Sequence, residues 1–195
     1  MTENIRSFLA VPIAPELAGS VGAVQESLRA AGPDVKWVNP ESFHITLKFL
    51  GDVQRERLEA LWPSVEGALD GVPRFRLRLH GVGAFPNPGR PRVIWAAVAE
   101  GATELTALAA AVEKACGLHG FAEEERPFRA HLTVGRVRRP APDARLEAAI
   151  AEMRDRDLGE MEAGRVLLMR SDLRPGGPVY HILNEKLLSK GMFDE

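Results

Sequence analysis

Phe43-His44-Ile45-Thr46-Leu47 and Ala130-His131-Leu132-Thr133-Val134 are one phrase written twice, 87 positions apart (131 − 44). In both, apolar residues alternate with His and Thr, the period of two that sorts side chains onto opposite faces of a strand. The chain has five histidines and five threonines in 195 residues. Chance then places a His-x-Thr roughly 0.13 times per chain, the false-positive risk of any short motif. The same offset relates further elements. Starts near 5, 55 and 73 read as strand, helix and strand, and they map onto 92, 142 and 160, where strand, helix and strand recur by pattern. The chain reads as a duplication.

Outward from the first phrase, Ile5–Val11 reads as a strand. Pro15 opens a helix carrying Leu17, Val21, Val24 and Leu28, which Gly32-Pro33 ends. Phe43–Leu50 is a β-branched and aromatic strand closed by Gly51-Asp52, and a helix over Arg55–Asp70 follows, which Pro63 should bend or interrupt. Arg74–His80 alternates, with Arg74, Arg76, Arg78 and His80 opposed to Phe75, Leu77 and Leu79. The second half gives a strand at Arg92–Ala99, a helix at Ala102–Cys116, the second motif strand at Phe128–Val137 and a helix from Pro142. Arg174-Pro175-Gly176-Gly177-Pro178 turns the chain into a last strand, Val179–Leu183, paired with the long one before it. Hairpin-linked strands with outer helices predict an α+β fold of mainly antiparallel sheets, a single domain over 1–195 with pseudo-repeats at about 5–82 and 92–187.

A hydrophobic content of 45% supports a sizeable core and excludes disorder. The 25 Lys+Arg against 27 Asp+Glu give a net charge of −2, so any nucleic-acid contact must be local. Cys116 has no partner for an intramolecular disulfide, and Phe8–Val11 is too short for a signal or membrane segment. A soluble, cytoplasmic monomer with no membrane contact is expected.

Strand parity projects Ser42, His44, Thr46 and Lys48 together, with Phe43, Ile45, Leu47 and Phe49 in the core. In the second strand Arg129, His131, Thr133 and Gly135 share a face, opposed by Phe128, Leu132 and Val134. Two lobes facing each other about a pseudo-twofold axis would bring two imidazoles, two hydroxyls and nearby cations to one cleft. That set suits a phosphate ester. In-line displacement at phosphorus needs a base for water and an acid for the departing oxygen, and histidine titrates near neutrality for both. Thr46 and Thr133 can hold the non-bridging oxygens, and Lys48 or Arg129 can carry charge, so a metal is optional. A zinc site from the two histidines is disfavoured because zinc takes three or four ligands and no Cys or carboxylate accompanies the phrases. No metal and no cofactor are expected.

Several stretches resemble the LigT-like branch of the two-histidine (2H) phosphoesterase superfamily. They are Arg6-Ser7-Phe8-Leu9-Ala10-Val11, the run His44-Ile45-Thr46-Leu47-Lys48-Phe49-Leu50-Gly51, Gly83-Ala84-Phe85-Pro86 leading to Trp95, Pro127-Phe128, and Ser171-Asp172-Leu173 with Tyr180. This branch comprises bacterial and archaeal RNA 2′,3′-cyclic phosphodiesterases, also called 2′-5′ RNA ligases. The phrase His131-Leu132-Thr133-Val134-Gly135-Arg136 departs conservatively, since the family more often has Leu then Ala before the Arg. The resemblance implies a bilobal fold with two pseudo-symmetric sheets about a cleft. It also implies hydrolysis of nucleoside or RNA 2′,3′-cyclic phosphates to 2′-phosphomonoesters, with reversal to a 2′-5′ link as a weaker activity. His44 would be the proton donor, His131 the acceptor, Thr46 and Thr133 the phosphate ligands, and Arg136 a substrate or structural support. The partners implied are cyclic nucleotides and RNA or oligonucleotide ends. The rival is a non-catalytic nucleotide or RNA-end binding module, which needs hydroxyls and cations but not two proton carriers.

The other histidines, His80, His119 and His181, lack a Thr partner and read as solvent-facing or structural. Arg74, Arg76 and Arg78 suit either an RNA track or an ordinary exposed strand face. The loop Ala84–Pro91 with Phe85 suits either a base-stacking cover or a plain connector. Trp37, Trp62 and Trp95 read as core.

Overall fold

The apolar run Ile5–Val11 lies within the first strand of the computed structural model, which describes residues 3–31, 34–175 and 177–190. In chain order the elements are β1 (Asn4–Pro12), α1 (Pro15–Arg29), β2 (Val35–Trp37), β3 (His44–Gln54), α2 (Arg55–Ala68), β4 (Phe75–Phe85), β5 (Val93–Glu100), α3 (Ala102–Leu118), β6 (His131–Val137), α4 (Ala144–Glu152), β7 (Asp157–Ala163), β8 (Arg165–Arg174) and β9 (Gly177–Leu187). The expected Gly32-Pro33 stop and Gly176 of the last turn lie outside the described residues. Helix α2 continues through Pro63 without a break. Helix α4 begins two residues after Pro142, where the Asp143 carboxylate accepts from the Arg145 and Leu146 amides.

All strand pairings within the two sheets are antiparallel, and the orders are β3-β1-β8-β9 and β2-β6-β5-β4-β7. The α+β expectation holds. The sheets do not coincide with the sequence halves: β4, from the first half, pairs with β5, whereas β8, from the second, pairs with β1. Helices cross over too. Helix α1 packs on β7 and α4, while α3 packs on β3 and α2. One hydrophobic core therefore runs from Ile5, Leu9 and Ile45 through Leu77 and Ile94 to Leu132 and Val166. Each apolar face finds its cover only when both halves are present.

The arginine face of β4 is a cross-strand ion ladder. Arg74 meets Glu162, Arg76 meets Glu160 and Arg78 meets Asp157 on β7, so each of these arginines has an acidic partner within the protein. No described helix is long and apolar enough to cross a membrane.

Candidate active site

Strand β3 begins as the alternation requires, with His44 and Thr46 half-buried on the cleft side and Ile45 in the core. The phase then breaks. Ala10 pairs with Thr46 but Leu9 pairs with Lys48, so Leu47 is an extra residue, a β-bulge. The second strand repeats it: Trp95 pairs with Thr133 and Ile94 with Gly135, making Val134 the extra residue, 87 positions after Leu47. The bulge thus recurs at the same offset as the phrase. In the second copy the bulged carbonyl, Val134 O, accepts from the Val38 amide at 3.0 Å and from Nε2 of buried Gln25 at 2.8 Å. A ladder irregularity is thus satisfied from β2's side and from α1.

The bulge reverses the side chains that follow it, because one inserted residue flips strand parity, until a second irregularity in β3, opposite Ser7 and Phe8, returns Val53 to the core. Lys48, expected at the cleft, is buried at 3% exposure, where its ammonium donates to both Glu113 carboxylate oxygens at 2.7 and 2.8 Å and to Ala122 O at 2.8 Å. Phe49, expected in the core, is 57% exposed and lines the cleft. In the second copy Gly135 turns inward, where a Cβ would come within 2.7 Å of Val35 Cγ1. Arg136 turns out into the cleft. Phe49 and Arg136 are equivalent positions that have diverged, one aromatic and one cationic.

The cleft between the sheets has a volume of about 1190 Å³ and contains His44, Thr46, His131, Thr133 and Arg136 in its lining. The geometry of the two imidazoles matches. His44 Nδ1 lies 2.8 Å from Ser42 O, and His131 Nδ1 lies 2.7 Å from Arg129 O, the carbonyl two residues upstream in each case. A carbonyl only accepts, so Nδ1 carries the proton in both rings and Nε2 is the atom left for chemistry. Aromatic neighbours fix the rings. Phe8 stacks on His44 at 4.7 Å with Tyr180 edge-on at 5.2 Å, and Phe85 meets His131 edge-on at 5.4 Å. Burial pushes the His44 imidazolium below its ordinary range, against the Ser42 bond, and the charge of Arg136 pushes the same way. Burial also pushes the Tyr180 phenol up.

Of the other contacts expected from sequence, Arg136 alone lines the cleft. Arg129 contributes its carbonyl while its side chain is exposed. Phe85 packs between Trp95, at 5.1 Å, and His131 instead of standing free for a base. Trp37, expected in the core, is half-buried at the cleft rim beneath Arg29. His119 bonds the Ser64 hydroxyl at 2.7 Å and His181 meets Asp172 at 3.2 Å. Sequence reasoning missed Phe49 because no local feature marks the bulge. The available signal was Phe49's equivalence to Arg136 under the offset.

The family model for LigT like phosphoesterases matches residues 11–95 and 97–180, each stretch holding one His-x-Thr. An RNA 2′,3′-cyclic phosphodiesterase of Methanothermobacter thermautotrophicus is 38% identical over 177 residues, 91% of this chain and 95% of that protein. The protein of the same name from Archaeoglobus fulgidus is 39% identical over 178 residues, 90% and 96% of the two chains. A solved structure from Thermus thermophilus superposes with a TM-score of 0.78 at 29% identity, covering 95% of this chain and 99% of that one. E. coli LigT complexed with 3′-AMP gives 0.76 at 23%, covering 96% and 100%, a likeness of fold.

Proposed function

The chain belongs to the LigT-like phosphoesterase family, and from that premise we propose that it hydrolyses RNA and nucleoside 2′,3′-cyclic phosphates to 2′-phosphomonoesters, with His44 and His131 as acid and base. One observation carries this reading: two imidazoles with equivalent carbonyl-locked Nδ1 atoms line a single cleft beside Thr46 and Thr133.

Neutral His131 takes a proton from water at Nε2 as the water oxygen bonds to phosphorus. The P–O3′ bond breaks on the opposite side, and protonated His44 delivers its Nε2 proton to the departing O3′. Thr46 and Thr133 hydroxyls donate to the non-bridging oxygens, and Arg136 balances their charge. Burial disfavours the imidazolium of His44 in the free enzyme, and a bound phosphodiester anion restores it. Protonation of the acid is thereby coupled to substrate binding. With a 5′-hydroxyl in place of water, the same groups break the P–O3′ bond to leave a 2′-5′ link, and a dilute hydroxyl competing with bulk water makes this the minor course. A binding module remains the second reading, supported by the same hydroxyls and Arg136, but it gives the two locked Nε2 atoms no task.

The test is turnover of 2′,3′-cyclic nucleotides in EDTA by the wild type, His44→Ala and His131→Ala. Activity persists in EDTA, and each substitution lowers it by about 10²- to 10⁴-fold, the usual share of a general acid or base. Full activity in both variants, or loss in EDTA, overturns the assignment. Nucleotide binding without any turnover in the wild type favours the module.

A further inference from the structure

Both walls of the cleft carry cations, Arg6 and Arg174 on one side and Lys36 and Arg136 on the other. On the β3-β1-β8-β9 sheet Phe8, Phe49 and Tyr180 stand together, with ring centroids 5.9 Å apart for Phe8–Phe49 and 5.2 Å for Phe8–Tyr180. On the opposite wall the cations are adjacent. Lys36 on β2 pairs directly with Arg136 on β6, and like charges placed opposite each other in a sheet repel. Neither is ion-paired among the described residues, although Arg139 close by takes Asp34 at 3.0 Å. Arg138 lies just past the end of β6, its amide still bonded to Asp34 O, and it too is exposed and unpaired among the described residues. Lys36 lines both the catalytic cleft and an adjoining groove of about 730 Å³ that also contains Arg29, Trp37 and Arg138. Arg29 is held in place over the Trp37 ring at 5.7 Å and by Glu26 at 3.3 Å. In a chain of net charge −2, the unpaired Lys36, Arg136 and Arg138, leading away from the two histidines toward Arg29, call for an anion with more than one charge.

Resting on the reading above, we propose that Lys36 and Arg138, continued by Arg29, form a second subsite that binds the backbone phosphates of nucleotides upstream of the cyclic end. The terminal base lies toward Phe49, and the 5′-phosphodiester leaves past Arg136 and Lys36 into the adjoining groove. The protein is then an enzyme of single-stranded oligonucleotide ends, and a cyclic mononucleotide fills only half of its binding surface.

The experiment compares kcat/KM for a tetraribonucleotide ending in a 2′,3′-cyclic phosphate with that for a cyclic mononucleotide, across a salt series. The wild type prefers the tetranucleotide at least about tenfold. Two extra phosphate contacts steepen the logarithmic salt dependence by about 1.4, at roughly 0.7 per phosphate on single strands. The double substitution Lys36→Ala, Arg138→Ala lowers the preference at least fivefold and removes the added salt slope, whereas the charge-preserving pair Lys36→Arg, Arg138→Lys keeps both. An unchanged preference in the alanine pair, or none in the wild type, overturns the subsite. Failure of the wild type to hydrolyse either substrate overturns the activity instead. The subsite is then read by fluorescence anisotropy of a labelled tetranucleotide ending in a 3′-phosphate, where the alanine pair binds at least tenfold more weakly and equal binding refutes it.

Discussion

His44 is packed between Phe8 and Tyr180, and that packing sets the pH behaviour of the site. Burial disfavours the charged ring, so His44 loses its proton below the ordinary histidine value near 6.5, and Arg136 lowers it further. The reactive form in the proposed mechanism holds one proton across the two rings, so the low-pH limb of the profile belongs to the pair and carries the lowering that burial imposes on His44. That limb of kcat/KM, which reports the free enzyme, therefore falls below pH 6.5. The kcat limb lies higher, because bound phosphodiester favours the imidazolium. Arg136→Gln removes a positive charge facing His44 and moves the low-pH limb of kcat/KM upward in addition to lowering the rate. A limb that stays fixed in Arg136→Gln contradicts this electrostatic coupling. At this scale the sequence was explicit for each histidine and threonine, which stand in a repeated phrase, and silent on the Ser42 and Arg129 carbonyls that lock the rings. The lowering at His44 was not legible, since it arises from burial among Phe8 and Tyr180, residues distant along the chain.

At the scale of elements, the duplicated bulge decides which side chains meet substrate. Alternation predicts Lys48 beside Thr46, and the inserted residue Leu47 sends it into the core against Glu113. Lys48→Met thus acts on stability and not on catalysis. It leaves Glu113 without its cation at a position 27% exposed, and the loss is about 1–3 kcal/mol, below the figure for a fully dry pair. Thermal unfolding measures the loss, while kcat stays within about twofold. A tenfold fall in kcat/KM without destabilisation would place Lys48 at the substrate after all. Most strands and helices were legible from period and punctuation. The bulge was not, because it depends on how β3 pairs with β1, a relation absent from any local window.

At the scale of the whole molecule, the exchange of β4 and β8 between the halves ties both sheets into one core and holds two equivalent strands across one cleft. The duplication was readable from the offset, and the exchange was not, since identical halves specify partners equally well within or between repeats. The consequence is that His44 and His131 line one cleft, and in the proposed mechanism they serve a single phosphorus atom. The most direct test is hydrolysis of a nucleoside 2′,3′-cyclic phosphate in ¹⁸O-water, followed by ³¹P NMR. The account predicts a 2′-monophosphate bearing one ¹⁸O on phosphorus. A 3′-monophosphate, label on the ribose, or intact substrate would contradict it.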